Sequence, residues 1–155
     1  YETIVKKLFG NLAEKKIAVL GFAFKENTND TRESPAIELC QSLLNEGAYL
    51  KIHDCQVSKE TINRDLSTSV MVSYEKDSEE KSNWSFHEDV YEALNETHAV
   101  ILLTEWELYK NLNWENISLK VKQPFWIFDT RLIINGKDLK KFGLNLWQIG
   151  NGNNQ

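Results

Sequence analysis

Residues 21–34, with the sequence GFAFKENTNDTRES, carry one lysine and one arginine in a polar segment. Binding of a pyrophosphate requires positive charge and a close approach of the backbone. Lys25 and Arg32 provide the charge, while Gly21 and the N–H groups after it permit the approach. Phe24 offers an aromatic face on which a sugar or a base can pack. The segment is therefore a candidate binding loop for a phosphorylated ligand.

The same residue types also have a purely structural interpretation. In many α/β domains such a phenylalanine belongs to the core, and such a lysine and arginine are solvated loop charges. On residue types alone this is the more common outcome for Phe24, Lys25 and Arg32. Both alternatives stay open at this point.

The elements on either side of the loop predict where it lies. Residues 17–20 are continuously apolar, as expected for a strand buried on both faces of a parallel sheet. Ser34 suits the N-cap of a helix, and Pro35 suits its first position, where a missing N–H costs nothing. The loop is thus expected at the carboxyl end of the strand, where open α/β sheets bind ligands.

Another cation is predicted at the same edge of the sheet. Residues 125–128 have the pattern of a buried strand, and Arg131 follows the end of that strand. Its side chain is therefore expected to converge with the Gly21 loop on one cleft. The alternative for Arg131 is an ion pair with Asp129 or Asp30.

A third loop follows the apolar residues 99–103 and contains Glu105 and Trp106. Trp106 is expected to pack in the interior. Glu105 is expected to pair with a loop cation rather than act as a base. The histidines are widely separated and have no nucleophile or acid at a useful spacing, so no catalytic residue is predicted in this chain.

Strand and helix patterns alternate along the rest of the chain. Helices are predicted at 36–44, 58–66, 89–94, 107–112 and 114–121, and further strands at 50–53, 99–103 and 145–148. Strands that are joined through helices pair in parallel. The predicted fold is α/β, a Rossmann-like, doubly wound and mainly parallel sheet flanked by helices.

Composition limits the classes of partner. The chain has 155 residues, of which 41% are hydrophobic, and a net charge of −5 with scattered basic residues, so nucleic acid and anionic membranes are poor partners. No apolar run approaches the ~20 residues of a membrane span. Cys40 and Cys55 match neither a metal-binding spacing nor a disulfide framework. We therefore expect no metal and a cytoplasmic location.

Four segments, in the same order and approximate spacing, carry a family resemblance: GFAFK with TNDTRESP, EGAYLKIHD, AVILLTEWE and FWIFDTR. They resemble the C-terminal domain of UDP-glucose 6-dehydrogenases, within the UDP-glucose/GDP-mannose dehydrogenase family. The resemblance covers most of the chain, and the details are most similar to the animal branch.

The resemblance implies roles for four residues. Phe24, Lys25 and Arg131 match positions that contact the nucleotide sugar. Arg32 matches an arginine that reaches the pyrophosphate of NAD. In the animal pattern a glycine precedes the position of Arg131 and a second arginine follows it, whereas this sequence has a threonine and a leucine there.

The resemblance also implies an activity for a longer protein. The family oxidises nucleotide sugars, in this branch UDP-glucose to UDP-glucuronate with two molecules of NAD. An N-terminal domain of the relatives supplies the dinucleotide fingerprint G-x-G-x-x-G and a catalytic cysteine, and neither motif occurs in this sequence. This chain is therefore expected to bind UDP-glucose without catalysing by itself, next to its own N-terminal and central domains in a homo-oligomer. NAD is expected to be held mainly by the N-terminal domain.

The chain divides accordingly into three parts, the second of which contains an insertion. Residues 1–15 are expected to be the end of an inter-domain connecting helix and its linker, and residues 16–149 the UDP-sugar-binding domain. Residues 67–83 have the polar composition of a surface insertion, and 150–155 that of a disordered tail.

Two alternative functions remain. One is a domain of another nucleotide-sugar dehydrogenase, for GDP-mannose or UDP-N-acetylmannosamine, because those relatives share a similar loop and helix start. The other is a noncatalytic α/β module for oligomerisation or ligand binding, in which exposed aromatic residues such as Trp114 and Trp126 form subunit contacts.

Overall fold

Helices and strands alternate along the chain in the computed structural model, which describes residues 1–8, 10–67 and 82–151. The helices are α1 (Glu2–Lys7), α2 (Pro35–Asn45), α3 (Lys59–Ser67), α4 (Val90–Leu94), α5 (Glu107–Lys110), α6 (Trp114–Ser118) and a 3₁₀ helix (Leu139–Phe142). The strands are β1 (Lys16–Leu20), β2 (Tyr49–His53), β3 (Trp84–Phe86), β4 (Ala99–Leu102), β5 (Phe125–Asp129) and β6 (Leu144–Gln148).

Within the described ranges, the strands form one six-stranded sheet in the order β3-β2-β1-β4-β5-β6, and every neighbouring pair is parallel. The strand order reverses between β1 and β4, which therefore flank the topological switch point. In doubly wound sheets, ligands bind outside the carboxyl ends of the strands at this point. The predicted doubly wound, parallel α/β fold is confirmed.

The central strands are buried because their sequences are apolar on both faces. The four residues of β4 are all buried, as are four of the five residues of β1. In the register, Val19 lies between Ile52 of β2 and Ile101 of β4. A parallel sheet with helices on both sides requires such continuous apolar runs.

The start of α2 is fixed as its sequence predicts. The Ser34 hydroxyl accepts a hydrogen bond from the N–H of Ala36 at 3.3 Å, and Pro35 occupies the first turn. The same hydroxyl donates to the carbonyl of Phe22 at 2.8 Å. The cap therefore also anchors the end of the candidate loop to its beginning.

The first helix belongs to the same core as the sheet. Ile4 and Leu8 are buried, as is Leu12 in the connection to β1. The Lys7 ammonium lies 4.6 Å from the ring centroid of Trp126, and this cation–π contact also holds the first helix against the sheet. Among the described residues, none of the helices is long and apolar enough to cross a lipid bilayer.

Several elements differ from the sequence predictions. Strand β3 had no assignment, because three residues are too few to show an alternating pattern. Helices α5 and α6 end earlier than expected, at Lys110 and Ser118. Most of the predicted insertion and of the predicted tail, residues 68–81 and 152–155, lies outside the described residues.

The expectation of exposed tryptophans is wrong for Trp114 and Trp126. Both are half-buried and pack against the core. Trp126 stacks against Phe128, with ring centroids 6.2 Å apart and 23° between the ring planes. These rings contribute to packing within the chain, so they do not support the noncatalytic assembly alternative.

Candidate functional site

The loops after β1 and β4 touch at Gly21. Its φ is +96°, and a Cβ at this position would lie 2.4 Å from Thr104 Oγ1 and 2.7 Å from the backbone nitrogen of Thr104. Only glycine fits such a contact. The Thr104 hydroxyl in turn donates to the carbonyl of Ala23 at 2.9 Å, so the two loops are joined at the switch point.

A buried carboxylate at the end of β2 fixes the first turn of the candidate loop. Asp54 is only 5% exposed, and its Oδ2 accepts the N–H groups of Phe22 at 2.7 Å and Ala23 at 3.0 Å. Trp106 Nε1 lies 3.3 Å from the same oxygen, and this side chain is buried as expected. Asp54 therefore ties together the loops that follow β1, β2 and β4.

Sequence analysis missed this role of Asp54. The other oxygen, Oδ1, accepts the N–H groups of Gln56 and Val57, both at 2.8 Å. The available signal was an acidic residue directly after the apolar strand pattern 50–53. An aspartate at such a strand end can accept backbone hydrogen bonds two or three residues onward.

The backbone donors after Gly21 are used within the protein. The N–H groups of Phe22 and Ala23 donate to Asp54, and that of Phe24 donates to the carbonyl of Asp30 at 2.8 Å. The expectation that the first N–H groups of the loop face a pyrophosphate is therefore wrong for these three. Positive charge at this site comes from side chains.

The interpretation of Phe24 as a core residue is wrong. Phe22 is the core residue of the pair, with no exposed surface, whereas Phe24 is 45% exposed. Lys25, the next residue, is exposed as well. A fixed, buried turn thus presents an aromatic ring and a lysine to solvent at the carboxyl edge of the sheet.

Arg131 lies against the same loop. Its Nε donates to the carbonyl of Leu103 at 2.8 Å, and Nη2 lies 3.5 Å from the carbonyl of Phe24, the long limit of a hydrogen bond. The predicted convergence of Arg131 with the Gly21 loop is confirmed. Arg131 follows β5 and Phe24 follows β1, so the loops after two strands form this corner of the site.

The ion-pair partner of Arg131 is Glu105, at 3.2 Å from Nε to Oε2. The alternatives Asp129 and Asp30 are wrong as side-chain partners, whereas the expectation that Glu105 pairs with a loop cation is confirmed. Asp129 is fully buried and instead accepts backbone N–H groups from Arg131 at 3.0 Å and Ile134 at 2.8 Å. It shapes the turn that carries the arginine.

Arg32 is held by a neighbour in its own loop. Its Nε and Nη2 donate to the Asp30 carboxylate, with the shortest distance 2.8 Å, and its side chain is 88% exposed. Hydrogen bonds from the Arg32 side chain and backbone lower the pKa of Asp30 to about 2. In the described part of the chain, no side-chain contact joins Arg32 to Arg131.

The cysteines and His53 lie in environments that disfavour charge. Burial raises the pKa of Cys40 to about 12, and burial with the nearby Asp54 charge raises the pKa of Cys55 to about 11. His53 Nδ1 lies 2.8 Å from the buried Tyr109 hydroxyl, and burial lowers the pKa of this histidine. Neither thiol is a thiolate at neutral pH, so neither is an activated nucleophile. No cluster suited to a metal ion occurs within residues 1–8, 10–67 and 82–151.

The sequence is similar to UDP-glucose 6-dehydrogenases of animals. It is 42% identical over 150 residues to UDP-glucose 6-dehydrogenase of Drosophila melanogaster, covering 96% of this chain and 31% of that protein. It is 40% identical over 149 residues to UDP-glucose 6-dehydrogenase of Bos taurus, covering 95% and 30%. The chain thus spans about a third of the length of these relatives.

The fold resembles solved structures of dehydrogenases. A UDP-D-ManNAc dehydrogenase from Pyrococcus horikoshii superposes with a TM-score of 0.70 at 24% identity, over 97% of this chain and 29% of that chain. A UDP-glucose dehydrogenase from Pyrobaculum islandicum gives a TM-score of 0.64 at 23% identity, over 94% and 27%. At these identities the likeness establishes the Rossmann-like fold.

The family follows from a match that includes the whole of the candidate site. The sequence model of the UDP-glucose/GDP-mannose dehydrogenase family, UDP binding domain, matches residues 18–136. This range contains the loop after β1, the Thr104–Trp106 loop and Arg131. It extends over more than half of the chain, and the chain therefore belongs to the UDP-glucose/GDP-mannose dehydrogenase family, with residues 18–136 as its UDP binding domain.

Proposed function

We propose that this chain binds the UDP part of UDP-glucose for a longer UDP-glucose 6-dehydrogenase, which oxidises UDP-glucose to UDP-glucuronate with two molecules of NAD. The observation that carries the proposal is the contact between Arg131 Nη2 and the carbonyl of Phe24 at the switch point. It places a cation and an exposed aromatic ring together where doubly wound sheets bind ligands. The names of the relatives support the choice of sugar nucleotide.

Phe24, Lys25 and Arg131 are the proposed contacts to UDP. The planar guanidinium of Arg131 has the geometry to bind two phosphate oxygens at once, whereas the Lys25 ammonium acts as a mobile point charge. The exposed ring of Phe24 can pack on the sugar or the base. The buried Asp54 turn beneath them keeps the backbone of this corner rigid.

Arg32 is the proposed contact of this chain to NAD. NAD accepts the hydride in such oxidations. The first turn after β1 does not suit NAD itself, because Asp54 already accepts the N–H groups of Phe22 and Ala23. We propose that NAD is held mainly outside this chain, and that Arg32 exchanges its Asp30 partner for the NAD pyrophosphate.

No residue of this chain is proposed to react with the sugar. Its contribution is binding energy, which a neighbouring catalytic domain can use to orient the reacting carbon. We further propose that residues 1–15 lead to N-terminal and central domains, that the complete protein is a homo-oligomer, and that it is cytoplasmic. Two free cysteines suit a reducing compartment.

The test is a two-dimensional amide NMR titration of this chain with UDP, UDP-glucose, GDP and NAD. Uridine ligands are expected to shift the resonances of Phe24, Lys25 and Arg131, with much weaker effects of GDP. Equal shifts with GDP would favour a guanosine-sugar dehydrogenase and contradict the proposal. Shifts confined to other residues, or no response to UDP, would also contradict it.

Two substitutions test the assignment of Arg131 and Lys25 as contacts to UDP. Arg131→Ala and Lys25→Ala are each expected to weaken UDP binding about threefold to thirtyfold, because each removes a charge-assisted contact. Lys122→Ala is the matched control, since Lys122 is an exposed lysine at the opposite edge of the sheet, before β5. A loss of binding in the control that equals the loss in Lys25→Ala would indicate only a general effect of charge.

A further inference from the structure

The Glu105 carboxylate contacts the arginine that we assign to the ligand. Glu105 Oε2 lies 3.2 Å from Arg131 Nε, and the two side chains are 31% and 34% exposed. A negative charge at this place is unexpected beside a site for an anionic ligand, because it repels a phosphate group. Its presence requires another reason.

The contacts of Arg131 suggest that reason. Its Nε donates to the carbonyl of Leu103, so this side of the guanidinium faces the protein. Nη2 reaches toward the carbonyl of Phe24, and Nη1 makes no hydrogen bond among the described residues. The outer edge of the guanidinium, formed by its two terminal nitrogens, is the edge that can bind two phosphate oxygens.

Glu105 is itself well anchored. The residue before it, Thr104, is fully buried and bonded to the carbonyl of Ala23. The residue after it, Trp106, is buried with its indole nitrogen near Asp54. A carboxylate between two fixed residues has a defined position, and it can restrict the rotamers of a flexible arginine.

We propose that Glu105 is a positioning residue for Arg131: together with the Leu103 carbonyl, it holds the guanidinium so that the outer edge faces the diphosphate of the ligand. This inference rests on the proposed function. Preorganisation of this kind increases affinity because less side-chain freedom is lost on binding. The gain in orientation outweighs the repulsion between Glu105 and the ligand.

Positioning of Arg131 by Glu105 increases UDP affinity, whereas repulsion between Glu105 and the ligand decreases it. The variant Glu105→Ala therefore shows which effect is larger. If Glu105 acts only as a repelling charge, its removal tightens UDP binding. If it positions Arg131, Glu105→Ala weakens UDP binding, by about threefold to fivefold for a pair of this exposure. Glu105→Gln keeps the shape of the side chain but removes its negative charge. Because the Nε–H of Arg131 already donates to the Leu103 carbonyl, this variant is expected to weaken UDP binding as Glu105→Ala does.

A double-mutant cycle with Arg131→Ala tests whether the effect acts through the arginine. In the Arg131→Ala background, Glu105→Ala is expected to cause no further loss of UDP binding. The control is Glu107→Ala, which removes an exposed carboxylate paired with Lys110 and is expected to leave UDP affinity unchanged. A loss that persists without Arg131 would overturn the inference.

A spectroscopic measurement distinguishes positioning from a merely structural role. The side-chain ¹⁵Nε–¹Hε resonance of Arg131 is expected to show an ordered group in the unaltered chain, and a more mobile one in Glu105→Gln and Glu105→Ala. Thermal unfolding of all variants shows whether the fold is retained, and Glu105→Ser is a second truncation if Glu105→Ala is unstable. An ordered Arg131 in Glu105→Ala would overturn the inference.

The same set of variants distinguishes the positioning role of Glu105 from the UDP site itself. If Arg131→Ala weakens UDP binding and Glu105→Ala does not, only the positioning role is wrong. If Arg131→Ala leaves UDP binding unchanged, the proposed UDP site is wrong at Arg131, and the positioning role is overturned with it.

Discussion

The Asp54 carboxylate accepts a 2.7 Å hydrogen bond from the backbone N–H of Phe22, and this bond joins the end of β2 to the first turn after β1. In a dinucleotide-binding Rossmann turn, backbone N–H groups at this place face the pyrophosphate. Here the Asp54 carboxylate accepts these N–H groups in place of a pyrophosphate. The turn is therefore a rigid support, and the ligand-facing groups are the side chains that it presents.

Asp54→Ala is expected to destabilise the chain by about 3–5 kcal/mol, because it leaves several buried N–H groups without an acceptor. Urea unfolding followed by circular dichroism measures the change. Asp138→Ala is the matched control, since its carboxylate is exposed and paired with Lys141, and we expect less than about 0.5 kcal/mol. Similar losses in both variants would contradict the structural role of Asp54.

Gly21→Ala is expected to cost more stability than a glycine substitution in open space. A Cβ at Gly21 meets Thr104, including its backbone nitrogen, in addition to the strain of φ +96°. We expect a loss of about 2–4 kcal/mol in chemical denaturation. Gly150→Ala has a similar φ of +79° but no atom nearby, so it isolates the conformational cost, about 1 kcal/mol.

Truncation of Thr104 provides a check on this explanation. Thr104→Ala removes the hydroxyl but keeps the Cβ and the backbone nitrogen of residue 104, both of which a Cβ at Gly21 would meet. The double variant Gly21→Ala with Thr104→Ala is therefore expected to remain destabilised. Full recovery of stability would show that the side-chain atoms of Thr104 beyond Cβ cause the clash.

The Asp30–Arg32 pair makes a prediction about acid pH. The pKa of Asp30 is about 2 in the folded chain, lower than its ordinary value of 3.8, because Arg32 donates hydrogen bonds to the carboxylate. A depressed pKa contributes stability above the unfolded value, and this contribution disappears as the pH falls from about 4 to about 2. Carboxyl ¹³C NMR is expected to show a titration midpoint near 2 that moves toward 3.8 in Arg32→Ala. An unchanged midpoint would contradict the pairing.

Thiol reactivity tests the environments of the two cysteines. The pKa of Cys55 is about 11, so only a small fraction is thiolate at neutral pH. Its alkylation by iodoacetamide at pH 8 is expected to be at least about tenfold slower than in the urea-unfolded chain. Buried Cys40 is expected to react only on unfolding. Mass spectrometry of the labelled peptides measures both rates, and rapid labelling of native Cys55 would contradict its protonated state.

The local sequence was sufficient to predict those elements that are stabilised by residues adjacent in the chain. Apolar residues 17–20 predicted β1, and Ser34 with Pro35 predicted the start of α2, because strand burial and helix capping depend on adjacent residues. The short strand β3 was not predicted, because it pairs with β2 across a long separation and contains only three residues.

The sequence by itself determined the family, the alternation of strands and helices, and the candidate residues Phe24, Lys25, Arg32 and Arg131. Only the tertiary structure decided that Phe22 is buried and Phe24 exposed, that Asp54 takes the backbone donors, and that Glu105 pairs with Arg131. The physical reason is distance along the chain. Those contacts join residues on different strand ends, and the parallel crossovers that bring them together leave no local pattern in the sequence.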